Sequence, residues 1–100
     1  MKRDEREHLS RLSGLGCLVC RRLHGPHDPG PVEIHHRRAG TGAGRRSSHW
    51  DALPLCVEHH RGKTGVHGMG TKAFVRHYGV TEQELVDEVY QLLNEEKRRI

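Results

Sequence analysis

Pro31-Val32-Glu33-Ile34-His35-His36 decides the fold, but only together with Leu53-Pro54-Leu55-Cys56-Val57-Glu58-His59-His60 downstream. In the first stretch Val32 and Ile34 alternate as a short strand requires, and two adjacent histidines close it. Neighbouring strand side chains point to opposite faces, so His35 and His36 serve different volumes. One can hold a metal while the other faces a substrate. His49-Trp50-Asp51-Ala52-Leu53-Pro54-Leu55 reads as the returning strand of a hairpin, with Pro54 asking for an edge position or a strand end. From Cys56 the chain begins a helix or helical turn, broken at Gly62 and Gly65.

Upstream, Cys17-Leu18-Val19-Cys20 has the spacing of a knuckle, a turn that presents two thiolates to one tetrahedral zinc. Alone it also reads as a redox pair. The second pair, Cys56-Val57-Glu58-His59, repeats the spacing and decides for metal. Two such half-sites make a Cys3His zinc site with complete coordination, so Cys17, Cys20, Cys56 and His59 are the expected structural ligands.

Composition points the same way. One hundred residues make one small domain, and only 33% of them are hydrophobic, with four aromatic. A core this lean asks for a structural metal. Ten histidines and three cysteines supply ligands in abundance, and an odd cysteine count speaks against a pure disulfide framework. It fits a reduced, zinc-holding intracellular protein. A net charge of +4 and a pI near 9.3 suit an anionic partner. No apolar run is long enough for a signal peptide or a membrane span, so a cytoplasmic location is expected.

Outward from the centre, Met1 to Ser13 reads as an amphipathic helix with Leu9, Leu12 and Leu15 on one side, ended by Gly14 and Gly16. Arg21 to Gly30, with two prolines and two glycines, reads as a loop carrying His24 and His27. Between the hairpin strands, Arg37-Arg38-Ala39-Gly40-Thr41-Gly42-Ala43-Gly44-Arg45-Arg46 is a basic, glycine-rich loop. Its glycine spacing is not that of a phosphate-binding loop. Arg37, Arg38, Arg45 and Arg46 suit DNA backbone phosphates, and an ordinary solvated loop explains them equally well. His67 sits in a glycine-rich turn, Gly65-Val66-His67-Gly68-Met69-Gly70. Thr71 to Tyr78 reads as a helix stopped by Gly79. Thr81 and Glu84 form a capping box that opens a helix to about Arg98, with Leu85, Val86, Val89, Leu92 and Leu93 as its apolar stripe.

The paired histidines followed by Cys-x-x-His-His resemble the HNH nucleases. That resemblance implies an α+β fold: a small zinc-stapled ββα-metal core over 17–70, with an N-terminal helix over 1–16 and C-terminal helices over 71–100. In the HNH pattern the first residue of the pair binds metal and the second is the general base. It therefore implies His35 as a catalytic-metal ligand, His36 as the base and His60 as a second ligand, with His67 a candidate for completing the sphere. The middle position of the pattern lacks its asparagine, leaving His49 and Asp51 as candidates. The chemistry suits these residue types. A histidine can take a proton from water near neutral pH, and a divalent metal (Mg2+, Zn2+ or Mn2+) stabilises the charge that develops on phosphate.

A closer resemblance spans about His8 to Leu93. The ordered series Leu15-Gly16-Cys17-x-x-Cys20, Glu33-Ile34-His35-His36, Arg46-x-Ser48-His49, Leu53-Pro54-Leu55-Cys56-x-x-His59-His60, Gly65-Val66-His67-Gly68 and Phe74-x-x-x-Tyr78-Gly79 is similar to the Ref (recombination enhancement function) nucleases. These are phage-type, HNH-related enzymes whose DNA cleavage depends on RecA. That family keeps a His or Asp at the position of His49, which favours His49 over Asp51. The expected function is a metal-dependent DNA endonuclease acting with a RecA filament in recombination or repair. The alternative is a zinc-stapled DNA-binding module without catalysis, in which His35 and His36 are incidental. Against it, His35, His36, His49, His60 and His67 outnumber what one structural zinc can use.

Overall fold

The computed structural model describes residues 2–25, 30–37 and 48–98. His27, Arg38, Arg45 and Arg46, with the rest of the stretch 38–47, lie outside the described residues. The architecture is α+β: a two-stranded antiparallel sheet with helices on either side of it in sequence.

Helix α1 (Arg3–Leu15) buries Leu12 and Leu15 and half-buries Leu9, as the amphipathic pattern requires. It runs through Gly14 and stops at Gly16, whose φ of 77° is open to glycine at no steric cost. A glycine inside a helix costs only about 1 kcal/mol, so Gly14 alone does not end it. The expected loop from Arg21 also begins too early. Helix α2 (Leu18–His24) carries Cys20, Arg21 and His24, and ends at Gly25. Its start is set by Cys17, whose Sγ accepts from the backbone N–H of Cys20 at 3.4 Å. The Cys-x-x-Cys is therefore a helix start rather than a free-standing turn.

Strand β1 (Glu33–His36) pairs with β2 (Ala52–Leu55), with Glu33 opposite Leu55, His35 opposite Leu53 and His36 opposite Ala52. The returning strand is shorter than expected. His49–Asp51 is a turn of 3-10 helix, because the Ser48 hydroxyl accepts from the Trp50 N–H at 3.0 Å and curls the chain. With two strands in the sheet among the described residues, Pro54 sits on an edge and its missing N–H breaks no further ladder there. All four β2 residues are buried, since α1, α2 and two later helices contact this strand.

The later helices are α3 (Val57–His60), α4 (Val66–Met69), α5 (Thr71–Tyr78) and α6 (Glu82–Arg98), of which α3 and α6 lie against β2. His67 lies on α4, a single helical turn, and not in an irregular glycine-rich turn. Gly79 ends α5 in the left-handed region at φ 68°. The capping box of α6 is present: Thr81 N–H donates to Glu84 Oε1 and Glu84 N–H to Thr81 Oγ1, both at 3.0 Å. The core joins Leu12, Leu18, Leu53, Leu55, Phe74, Leu85 and Val89 across both ends of the chain. No helix among the described residues is long and apolar enough to cross a membrane.

Candidate metal centres

The two Cys/His half-sites meet. Cys17 caps α2, Cys56 caps α3, and Cys20 and His59 lie one turn into those helices. His59 Nδ1 lies 3.5 Å from Cys17 Sγ, 3.4 Å from Cys20 Sγ and 3.2 Å from Cys56 Sγ. Cys20 and Cys56 sulfurs are 3.9 Å apart. Tetrahedral zinc at its usual bond lengths requires about 3.8 Å between sulfurs and about 3.6 Å between sulfur and nitrogen. The four donors therefore fit zinc. All three thiols are free of disulfides. Burial, and then the neighbouring Cys17, push the Cys20 thiol up to about 12, and a cysteine must give up that proton to bind a metal. Burial also lowers His59, keeping its imidazole neutral as a metal ligand must be.

A second group lies at the junction of β1, α3 and α4. His35, His60 and His67 each offer a ring nitrogen, and these atoms lie within 4.8 Å of one another. His35 is buried, His60 half-buried and His67 exposed, so the group opens to solvent on one side. Local geometry brings α4 this close. The Glu58 carboxylate accepts from the Thr64 N–H at 3.0 Å and from its hydroxyl at 2.6 Å, tightening the turn after α3. A Cβ on Gly65 would meet the Glu58 carbonyl oxygen at 2.5 Å and the carbonyl carbons of His59 and His60 at 2.7 and 2.8 Å. Only glycine permits that approach. Gly62 and Gly65 thus do more than interrupt a helix.

His36, on the opposite face of β1, has its Nε2 2.9 Å from His49 Nδ1. Burial first, then His49 and His35, lower the His36 pKa, favouring the neutral ring. Asp51, the other candidate for the middle position, lies elsewhere. Its carboxylate is 3.8 Å from Arg37 Nη2 and its carbonyl accepts from the Arg37 N–H at 2.9 Å. The structure brings His49, and not Asp51, to His36.

With these groups in place, the chain matches a known family over residues 2–95, one described as recombination enhancement, RecA-dependent nuclease. The chain belongs to that family. Membership brings the coarse reading of a nuclease acting in recombination. No curated protein matches the chain.

Three features of this family member were not visible in its sequence. His35 Nε2 donates to Glu82 Oε2 at 2.6 Å, with both side chains buried, across 47 positions of sequence. His60 Nδ1 donates to Glu33 Oε1 at 2.8 Å, and Arg61 clamps the same carboxylate through Nε at 2.9 Å and Nη2 at 2.7 Å. The hydrogen bond from His60, ahead of those from Arg61, holds Glu33 below its ordinary value. His8 is buried on α1 against Trp50 and Tyr90, with ring centroids 4.6 and 5.6 Å away, and its Nε2 has no hydrogen-bond partner among the described residues. Glu33 beside Ile34-His35-His36 was the one available signal, because a carboxylate two positions from His35 in a strand shares its face. Glu82 and His8 carried none.

Proposed function

We propose that the protein is a metal-dependent DNA endonuclease of HNH type, acting with a RecA filament, in which His36 is the general base. The supporting observation is the His36–His49 contact beside the three-histidine group, which gives two neighbouring strand residues two different partners. The donors His35, His60 and His67 fit a divalent cation, with imidazole favouring zinc-like ions. When bound there, such a cation would supply positive charge for the phosphate oxygens during hydrolysis. The order β1, β2, α3 is that of a ββα-metal core. Cys17, Cys20, Cys56 and His59 would hold a structural zinc beside it.

His36 works as a base only in one tautomer. When its Nε2–H donates to His49 Nδ1, its own Nδ1 keeps the lone pair that takes the proton from water. His49 would then orient the ring, the role of the middle position in the HNH pattern. Asp51, held by Arg37, would fix the chain at the end of β1. Arg37, Arg38, Arg45 and Arg46 would lie along the DNA backbone, and their contribution should weaken as salt rises.

Nicking of supercoiled plasmid across a Mg2+, Mn2+ and Zn2+ series, with and without a RecA filament, tests this. His36→Ala should lose about 10²–10⁴ in rate while retaining its zinc and its fold. Wild-type cleavage by His36→Ala would remove the base. No cleavage by wild type under any metal, with or without RecA, would leave a zinc-stapled DNA-binding module as the better reading.

A further inference from the structure

The buried pair Glu82–His35 is hard to account for by stability alone. Its heavy atoms are 2.6 Å apart with side-chain exposures of 1% and 2%. A buried carboxylate loses so much hydration that well-packed apolar residues of similar volume serve stability as well as or better than the polar contact. The pair also consumes His35 Nε2, and so leaves Nδ1 as the nitrogen with a lone pair for a cation. The same arrangement recurs at His60, where Glu33 takes Nδ1 and leaves Nε2. A carboxylate that receives one ring N–H fixes the tautomer and orientation of a metal-binding histidine and raises its basicity. Glu82 does so from a distant element. It stands at the start of α6, whose Leu85, Val86, Val89 and Leu93 are otherwise held by the apolar core.

We propose that Glu82 is the positioning residue of the three-histidine site, and that through it occupancy of the site is linked to docking of α6. This rests on the metal reading of His35, His60 and His67 given above. The linkage is reciprocal: a cation that binds the ordered His35 stabilises the pair, and an undocked α6 leaves His35 without its orienting partner. The C-terminal helix is then part of the metal site, although it supplies no ligand to it.

The test is a calorimetric titration of Zn2+ into full-length protein already carrying one equivalent, with hydrogen exchange of α6 before and after. Wild type should take a second equivalent, and His60→Ala should not. Glu82→Gln should keep the first equivalent and bind the second about 10–100-fold more weakly. In wild type the amides of Val86 to Leu93 should gain protection on the second equivalent, and that gain should vanish in Glu82→Gln. The exchange measurement on wild type stands even if the variant does not fold. Second-equivalent affinity unchanged in Glu82→Gln, even with a lower melting temperature, would overturn the proposal and make Glu82 a structural residue. So would α6 exchange in wild type that ignores the second equivalent. If wild type binds only one equivalent, the metal reading itself falls and takes this proposal with it.

Discussion

The two Cys/His groups are built on the same short helix, α3, and differ in almost everything else. The cysteine-rich group has four donors contributed by two helix starts, enough to close a tetrahedron. The histidine group has three, drawn from a strand and two helices, and its His67 faces solvent. Closed zinc sites serve folding, whereas sites that keep a position open serve chemistry. Supporting residues differ too. The cysteines need only their own helix starts, whereas His35 and His60 lean on Glu82 and Glu33. Position along the chain follows from this: a closed site can be written as two local pairs, and an open one must be assembled.

The largest effect is expected at Cys56. Cys56→Ser should release zinc and unfold the domain, because structural zinc contributes an apparent binding free energy on the order of 10–16 kcal/mol. Circular dichroism and elemental analysis of the purified variant check this; a folded, zinc-free protein would contradict it. His67→Ala, on the open group, should leave the zinc and the secondary structure in place by the same two measurements.

A smaller effect sharpens the contrast. Gly65→Ala places a methyl against the α3 backbone and should push α4, with His67, away from His60. Overpacking of this kind costs about 1–3 kcal/mol, read as a lowered melting temperature. Loss of the second zinc equivalent with retention of the first would show that the glycine serves the open group alone. Loss of both would mean that the two groups are not separable.

The smallest effect belongs to His8, which neither group uses. Burial, and then Arg11, lower its pKa from the ordinary 6.5, so the unfolded chain binds its proton more readily than the folded one. The sign follows. Its contribution is fully present above pH 6.5 and is lost as pH falls from there towards the lowered folded value. In urea melts of zinc-saturated protein, His8→Phe should therefore lose less stability than wild type between pH 7.5 and pH 5.5, conditions that bracket about pH 6.5. Parallel losses in the two proteins would assign the acid sensitivity to the other histidines.

Much of this was legible in sequence, and unevenly so. The repeated two-residue spacing of Cys17/Cys20 and Cys56/His59 foretold a four-donor cluster, because ligands one helical turn apart are set by local geometry. The Thr81/Glu84 capping box and the stripe of α6 were legible for the same reason. The ends of α2 and β2 were not. A Cys17 thiol capping α2 and a Ser48 hydroxyl curling residues 49–51 are single hydrogen bonds that outweigh weak propensities. The residues alone left His49 and Asp51 as alternatives, with the family resemblance favouring His49, since residues two apart differ little in pattern and greatly in where they land.

By itself, the sequence determined the local units: the two Cys/His half-sites, the His35-His36 strand that turns its rings to opposite faces, and the capped C-terminal helix. These depend on spacings of one to four residues, which backbone geometry converts directly into direction. Tertiary structure alone decided that Glu82 reaches His35, that Gly65 lets His67 approach His60, and that His49 meets His36. Those contacts join segments whose separation in the chain carries no periodic signal. The contacts of Glu82 with His35 depend on apolar burial that holds α6 and α1 against β2.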